Sequence, residues 1–357
     1  MISEKSFSKE WIEKKSKEFK ISKYDILEKA NKALYLLEKL KESELDFIFK
    51  GGTALTILLK EEKRFSTDID ITTKENDKTI EKILENIVFK KYFKKYEIEN
   101  RESKSKIKKT HYRLFYDSVI TGYEQNVLLD VVFCDLIILD VINTEIKSNF
   151  IDTKGTTFVK TLSIESLLGD KLTTLAFNSI GIDIKNDLGI AKQVFDINRL
   201  FDEITNIKKV ELAFLEICKL QLQFRGLKTK ENQILNKIIE NVIIFVKGYY
   251  GINLKIKEKE YFNCFISGLD KLQNNIIPKY DSGKFSRDSF LKSLTKSAFL
   301  CSVLNSGDIK NFVKYNKDTQ LKELLNYEHR DKLNKLKKLD KESHYYLITA
   351  LKISGLD

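Results

Sequence analysis

One stretch limits what this chain can fold into more than any other: residues 49–72, which read FKGGTALTILLKEEKRFSTDIDIT. An apolar run ends in two adjacent glycines, a short amphipathic segment follows, and the stretch closes on Asp68 and Asp70. Adjacent glycines let backbone N–H groups approach an anion closely, and a helix N-terminus favours a phosphate there. Carboxylates two positions apart on a strand point to one face and can share a divalent metal. The pattern therefore predicts a strand, a phosphate-binding turn, a helix and a metal-binding strand, which suits chemistry at a phosphorus atom.

The glycine pair and the two acids also have an ordinary interpretation. In it, Gly51 and Gly52 form a turn between a strand and a helix, and Asp68 and Asp70 lie on a surface strand. Strand positions between isoleucines favour apolar or β-branched residues. An Asp-x-Asp pair at such positions is therefore better explained by a binding role.

The strings GGTAL and RFSTDIDI resemble the first motif of the AbiEii-type toxins of type IV toxin–antitoxin systems. That family lies within the polymerase-beta-like nucleotidyltransferases, whose signature is a Gly-Gly or Gly-Ser pair followed by Asp-x-Asp. The resemblance implies transfer of a nucleoside monophosphate from an NTP, with Mg²⁺ or Mn²⁺ as cofactor. The site residues that it implies are a metal-binding pair, Asp68 and Asp70, a phosphate cradle, Gly51, Gly52 and Thr53, and two residues that brace the strand or the triphosphate, Arg64 and Ser66.

A further acid lies inside an apolar run. The segments His111–Tyr116 and Val127–Phe133 have the pattern of two strands in a hairpin, and Asp130 interrupts the second. An acid in a buried strand is costly unless it is paired or bound to a metal. In polymerase-beta-like enzymes a third carboxylate comes from a strand next to the Asp-x-Asp strand, so the resemblance implies a catalytic and metal-binding role for Asp130, including that of general base. The alternatives are Asp135, Asp140 or a plain core-edge acid.

Two motifs further along the chain also match the family. The segment LLGDKLTTLAFNS carries Lys171 on the polar side of a predicted helix, and AKQVFDINRLFDEI starts another helix that contains Asp196. The resemblance implies that Lys171 binds the triphosphate and that Asp196 orients this lysine or a nucleobase. Gln193 departs from the pattern, because many relatives carry an acid there. The alternative for both residues is ordinary charge on a helix surface.

The stretch 90–113 is strongly basic. It contains ten Lys or Arg residues and three acids, interleaved with aromatic residues. Basic side chains follow phosphates and aromatic rings stack on bases, so the stretch is a candidate RNA-binding surface. The alternative is a solvated loop and strand edge, where charge opposes aggregation. The RNA-binding candidates are Lys94, Lys95, Lys106, Lys108, Lys109 and Arg113.

Composition is compatible with a polyanionic partner. The 357 residues carry a formal net charge of +11 against 52 acidic residues, which favours nucleic acid, although a lysine-rich composition is also what an AT-rich genome encodes. The four cysteines have no paired spacing, which indicates reduced thiols. There is no leader-like start and no apolar run long enough to cross a bilayer. We therefore expect a cytoplasmic protein with no membrane partner.

The order of the predicted elements indicates an α+β fold. We expect residues 1–160 to form a polymerase-beta-like nucleotidyltransferase domain, a mixed sheet with flanking helices and a helical lead-in. Residues 161–357 read as a mainly helical domain, because apolar residues recur at helical spacing. Within it we expect a less regular insert at 251–284 and a helix at 321–339. The histidines of this domain lack metal-ligand spacing, which favours structural roles.

The resemblance also implies an acceptor and a partner. Relatives use an RNA acceptor, with the 3′ end of tRNA the best-known case, and blocking aminoacylation would stop translation in phage defence. A cognate antitoxin would be encoded alongside. The competing hypotheses are a nucleotidyltransferase that modifies a small molecule such as an aminoglycoside, or a protein, and a non-catalytic relative that binds nucleotide or RNA. A small acceptor needs no long basic track, and a pure binder needs no three converging acids.

Overall fold

A computed structural model of the chain describes residues 1–21, 23–59, 63–99, 108–134, 139–277, 285–318, 333–334 and 336–355. The chain forms two compact units: Met1–Ser163 with Asn275–Ser282, and Ile164–Asn274 with Gly283–Asp357. We refer to them as the sheet unit and the helical unit. That they are independent domains divided at residues 160 and 161 stays a prediction.

The described residues of the sheet unit form a seven-stranded mixed sheet. Its strands are β1 (Ile48–Lys50), β2 (Asp68–Thr73), β3 (Lys95–Glu99), β4 (Lys109–Asp117), β5 (Glu124–Phe133), β6 (Val141–Glu145) and β7 (Phe158–Leu162). Their order across the sheet is β3-β4-β5-β2-β1-β7-β6. β2 pairs with β5 and β1 with β7 in parallel, whereas the other neighbours are antiparallel. The predicted α+β class and the predicted β4–β5 hairpin are both confirmed.

One face of the central strands is apolar and buried. Ile69 and Ile71 of β2 and Leu129 and Val131 of β5 are fully buried, and helix α2 (Tyr24–Glu42) contacts both strands. Side chains alternate along a strand, so the residues between these four lie on the opposite face. The helices of this unit are α1 (Lys9–Glu18), α2 (Tyr24–Glu42), α3 (Gly51–Leu59) and α4 (Asp77–Phe89).

The helical unit is held together by packed amphipathic helices. They are α5 (Ile164–Thr173), α6 (Asp187–Glu203), α7 (Ile207–Phe224), α8 (Glu231–Tyr249), α9 (Ile256–Asn275), α10 (Arg287–Ser306), α11 (Leu336–Leu339) and α12 (Lys341–Ile353). The Asn186 side chain caps α6 by accepting from the N–H of Gly189. Gly169 lets α5 approach α7 closely, because a Cβ there would come within 2.7 Å of the backbone N of Phe214.

The expectation of a less regular insert at 251–284 is wrong for its described part. Residues Ile256–Asn275 form a 20-residue helix. Tyr261, Phe265 and Leu269 are buried at helical spacing, and the charged residues that precede them obscure this pattern in the sequence. Gly268 permits close packing, since a Cβ there would lie 2.2 Å from the carbonyl oxygen of Asp187.

The described ranges contain neither a membrane-spanning helix nor a disulfide. None of their helices is both long enough and apolar enough to span a bilayer. The four cysteines, which all lie in these ranges, form no disulfide. Most of the helix predicted at 321–339 lies outside the described residues.

His344 on α12 is a fully buried histidine. Neither ring nitrogen has a hydrogen-bond partner among the described residues. Burial, with a smaller effect of Lys337, lowers the pKa of His344 to about 4. The folded chain therefore keeps the ring neutral at pH values where an unfolded chain protonates it.

We predict that His344 makes folding stability depend on pH. Its folded pKa lies below its unfolded value, so the unfolded state takes up the extra proton first. The stabilisation is present above about pH 6.5 and is lost as the pH falls toward 4, by up to about 3 kcal/mol. Denaturant unfolding of the wild type and of His344→Leu at both pH values measures it.

The comparison of the two proteins isolates His344 from the other titrating groups, which both share. The stability of the wild type should fall relative to His344→Leu between pH 6.5 and 4. Parallel pH profiles for the two proteins would contradict the prediction.

Candidate active site

A row of charged and titratable side chains crosses the sheet at one level. Strand pairing places Lys50 of β1 opposite Asp70 of β2, and Asp70 opposite Asp130 of β5. His111 of β4 is opposite Asp130, and Glu99 of β3 is opposite His111. Directly paired residues on neighbouring strands share a face of the sheet. The whole row therefore lies on the face away from the buried apolar residues.

The centre of this row is a pair of adjacent acids. The pKa of Asp70 is raised to about 6. The main cause of the rise is burial, which removes hydration, and the second is the negative charge of Asp130. Asp68 contributes to the rise, whereas Lys50 and Lys109 oppose it. Two carboxylates this close do not both ionise readily without a cation or a shared proton. The pair is thus a place where positive charge binds favourably.

The donor chemistry of the acids suits Mg²⁺ or Mn²⁺, which prefer carboxylate oxygens. Asp68 and Asp70 share a face of β2, and Asp130 is the in-register neighbour of Asp70. Across the described ranges, no group of three or more His, Cys, Asp or Glu side chains is arranged so that it could hold a metal ion by itself. Mg²⁺ is commonly held by one or two carboxylates, and substrate phosphates complete its coordination. The residues fit a cation that binds together with a nucleotide.

Gly51 brings the start of α3 against these acids. It has a φ of +80°, which is the left-handed region that favours glycine. A Cβ at this position would lie only 2.0 Å from Oδ2 of Asp70. Glycine is therefore required twice, for the backbone conformation and for the approach to Asp70. Helix α3 begins at Gly51 itself.

The other cradle residues surround the first turn of α3. A Cβ on Gly52 would lie 2.6 Å from Nη2 of Arg64 and 2.8 Å from Oγ of Ser66. Arg64 is only 5% exposed, so its positive charge is held beside the helix N-terminus. The Thr53 hydroxyl donates to the backbone oxygen of Asp68 at 2.6 Å. This hydroxyl ties α3 to β2, and a phosphate-binding role for Thr53 stays a prediction.

The partners of Asp130 include two residues of β4. Nδ1 of His111 lies 2.6 Å from Oδ1 of Asp130, and Nζ of Lys109 lies 3.8 Å from Oδ2. Lys109 was predicted to bind RNA, whereas neither His111 nor Lys50 was singled out. The available signal was the alternation of Lys109, His111 and Arg113 in KTHYR, which puts all three on one face of a strand.

Of the two alternatives to Asp130, Asp140 lies away from Asp70 and Asp135 is not described. Asp140 immediately precedes β6, the edge strand, which β1 and β7 separate from β2. Its backbone oxygen accepts from the N–H of Ser163. Asp135 lies outside the described residues.

Five of the six RNA-binding candidates lie among the described residues, and each faces a carboxylate. The ion pairs are Lys94–Asp117, Lys95–Glu97, Lys108–Asp77, Lys109–Asp130 and Arg113–Glu99. Lys106 lies outside the described residues. Contact of these cations with RNA would have to replace or share these pairs, and it stays a prediction.

Lys171 and Asp196 meet inside the helical unit. Nζ of Lys171 lies 2.8 Å from Oδ2 of Asp196 and donates to Oε1 of Gln193 at 3.0 Å. Both charged residues are buried, Asp196 completely. Asp196 thus has the geometry to orient Lys171, and Gln193 supplies a neutral acceptor to the same ammonium. Binding of Lys171 to a triphosphate stays a prediction.

Comparison with known proteins gives a family match. The model of the family described as nucleotidyl transferase AbiEii toxin, type IV TA system, matches residues 35–253. No curated protein matches the chain. The solved structures with similarity include JHP933 from Helicobacter pylori, at 14% identity over 81% of this chain and 97% of that one, with a TM-score of 0.34. A second H. pylori protein, provisionally described as a nucleotidyltransferase, is 15% identical. The match covers 69% of this chain and 96% of that one, with a TM-score of 0.28. These low scores add nothing to the assignment of site residues.

We predict that Gly51→Ala damages the acid site and that Gly155→Ala does not. Both glycines have a positive φ, but a Cβ on Gly155 has nothing within 4 Å. Each substitution should cost about 1–2 kcal/mol through backbone strain. Only Gly51→Ala should also displace Asp70 and weaken Mn²⁺ binding, by roughly 10- to 100-fold. Thermal unfolding and calorimetric titration with Mn²⁺ measure the two effects. Equal Mn²⁺ affinity in both variants would contradict the prediction.

We predict that Lys171→Met destabilises the chain by about 3–5 kcal/mol, because it removes the positive charge that lies against the buried Asp196 carboxylate. The double variant Lys171→Met/Asp196→Leu should regain most of that loss. Lys208→Met is the control, since Lys208 and Glu211 form an ion pair on the surface of α7 whose loss costs about 1 kcal/mol or less. Urea unfolding provides the measurement. A double variant no more stable than Lys171→Met would refute this account.

Proposed function

The chain belongs to the AbiEii nucleotidyltransferase toxin family of type IV toxin–antitoxin systems, and from this premise we propose that it transfers a nucleoside monophosphate from an NTP to the 3′ end of an RNA. The proposed acceptor is tRNA, and the proposed cofactor is Mg²⁺ or Mn²⁺. A modified tRNA 3′ end cannot be aminoacylated, so translation would stop, which accounts for toxicity and for a role in phage defence. The proposed partner is an antitoxin encoded alongside.

The proposed reaction site is supported by the position of two acids beside the start of α3. Asp70 and Asp130 are in-register neighbours on parallel strands, and the first residue of α3 lies against Asp70. Carboxylates beside a helix N-terminus bring a cation-binding group next to an anion-binding group. A nucleoside triphosphate with its divalent cation carries both charges. The site therefore suits an NTP better than it suits an uncharged ligand.

The proposed reaction is an in-line displacement at the α-phosphorus. The acceptor hydroxyl oxygen forms a new P–O bond, the bond from the α-phosphorus to the bridging oxygen breaks, and pyrophosphate leaves with that electron pair. Asp130 is the proposed acceptor of the hydroxyl proton. Asp68, Asp70 and Asp130 would hold the cation, which when bound neutralises phosphate charge.

The phosphate groups are assigned to the first turn of α3. The N–H groups of Gly51, Gly52 and Thr53 have no acceptor within the helix, and the helix dipole favours an anion at this end. Arg64 adds a buried positive charge beside Gly52. A guanidinium is an effective phosphate partner because it offers several donors in one plane. Ser66, next to Gly52, would donate to the same phosphates.

An RNA acceptor is favoured over a small molecule by the cations of β4. Lys109 and Arg113 flank His111 on the sheet face that carries the acids. Basic side chains in line beside the reacting site would follow the phosphates of an approaching strand. A small acceptor needs no such line of cations, whereas an RNA strand would replace or share the ion pairs of Lys109 with Asp130 and of Arg113 with Glu99.

We predict that Asp68→Asn and Asp70→Asn each reduce nucleotidyl transfer by roughly a thousandfold or more, because charge stabilisation in the transition state is lost. The purified proteins are incubated with total bacterial RNA, Mg²⁺ and each radiolabelled NTP in turn, and the labelled RNA is resolved on a gel. Asp46→Asn is the control, since Asp46 is an exposed acid of the same unit that pairs with Lys160.

Label in tRNA-sized RNA from one NTP, present with Asp46→Asn and absent with the other two variants, is the expected result. Label in protein, or transfer to an added aminoglycoside with none to RNA, would overturn the RNA acceptor. Wild-type transfer by either site variant would overturn the assignment of the acids.

A further inference from the structure

His111 is a buried histidine in direct contact with the acid pair. It is 6% exposed, and its Nδ1 lies 2.6 Å from Oδ1 of Asp130. An ionised carboxylate has only acceptor sites, so Nδ1 carries the hydrogen and donates it to Asp130. A contact this short is typical of hydrogen bonds in which one partner is charged.

Nδ1 of His111 contacts Asp130, while the other acid beside His111 in the row, Glu99, is engaged by Arg113. Glu99 is the next residue in the row. Its Oε2 accepts a hydrogen bond from Nε of Arg113 at 3.3 Å, and its Oε1 lies 3.0 Å from Nη2 of Arg113. With both of its oxygens engaged by one guanidinium, Glu99 is held by Arg113. The ring of His111 and the carboxylate of Asp130 therefore form one hydrogen-bonded unit across β4 and β5.

The hydrogen bond from His111 opposes the effect of the repulsion between Asp70 and Asp130. Asp130 is the in-register neighbour of Asp70, and two like charges favour side-chain rotations that separate them. The donor on His111 restrains Asp130 through Oδ1. Oδ2 lies 3.8 Å from Nζ of Lys109, a positive charge that a divalent cation bound at Oδ2 would replace or share.

We propose that His111 is a positioning residue for Asp130: its Nδ1–H holds one carboxylate oxygen and thereby presents the other to the divalent cation that Asp130 shares with Asp70. This inference rests on the proposed function, because it assigns a role at the same cation site. Ligating carboxylates are commonly oriented by such hydrogen bonds, whose removal weakens metal binding or activity by roughly 10- to 100-fold.

The test compares three substitutions of His111. His111→Asn keeps an N–H donor close to the position of Nδ1, His111→Gln moves the donor to the position of Nε2, and His111→Leu removes it. Mn²⁺ binding is measured by electron paramagnetic resonance of the unbound ion, both without nucleotide and with a non-hydrolysable NTP analogue. The Mn²⁺ dependence of nucleotidyl transfer and the melting temperature are measured on the same preparations.

Thr110→Val is the matched control. Thr110 is the neighbour of His111 on β4, but it lies on the other face, where its hydroxyl donates to Asp77 at 2.7 Å. This variant removes a side-chain hydrogen bond from the same strand without touching the acids. Its Mn²⁺ affinity and its transfer rate should match those of the wild type.

The expected result is a 10- to 100-fold weaker Mn²⁺ affinity in His111→Leu, with transfer that recovers as Mn²⁺ is raised. His111→Asn should retain a Mn²⁺ affinity within about threefold of the wild type and bind more tightly than His111→Gln, because it keeps the hydrogen bond whose loss costs roughly 10- to 100-fold. Wild-type affinity in His111→Leu, or equal loss in folded His111→Asn and His111→Gln, overturns the proposal. If His111→Leu does not fold, the comparison of His111→Asn with His111→Gln decides.

These outcomes separate the inference from the proposed function. A wild type that transfers nucleotide and binds Mn²⁺, with His111 variants that bind it equally well, overturns only the role of His111. A wild type that neither binds Mn²⁺ nor transfers nucleotide overturns the proposed function itself.

Discussion

The sheet unit depends on one electrostatic constraint, the placement of two carboxylates side by side. Parallel pairing of β2 with β5 makes Asp70 and Asp130 neighbours, and their repulsion contributes to raising the pKa of Asp70. The surrounding residues act on this charge. Lys50 lies opposite Asp70 on β1, His111 donates to Asp130, and Gly51 leaves room for the Asp70 carboxylate. The fold thus concentrates negative charge where a cation would relieve it.

The sheet carries this charge because its two faces differ. Ile71 and Leu129 anchor one face in the core, and each fully buried side chain of this size contributes about 2 kcal/mol. A one-residue slip of either strand would bring acids into that core. The apolar face therefore maintains the register that brings the acids together. In the helical unit, the buried charge of Asp196 is instead neutralised within the protein, by Lys171.

Much of this arrangement was predictable, because it follows from local periodicity. The alternation around Asp68 and Asp70 indicated a strand with both acids on one face, and the glycine pair indicated a helix start beside an anion site. The interruption of an apolar run by Asp130 indicated an acid with a special environment. The helix Ile256–Asn275 was missed because charged residues at its start obscure its apolar spacing.

The sequence by itself determined the residue types of the site, its strand–glycine–helix order and the family, because each is a property of neighbouring residues. Only the tertiary structure decided which side chains meet. Asp130 is 60 residues from Asp70, and His111 meets it only through the register of β4 on β5. It also decided that Lys109 faces Asp130 and that Thr53 ties α3 to β2. Register follows from how a whole sheet buries its apolar face, so no short motif contains it.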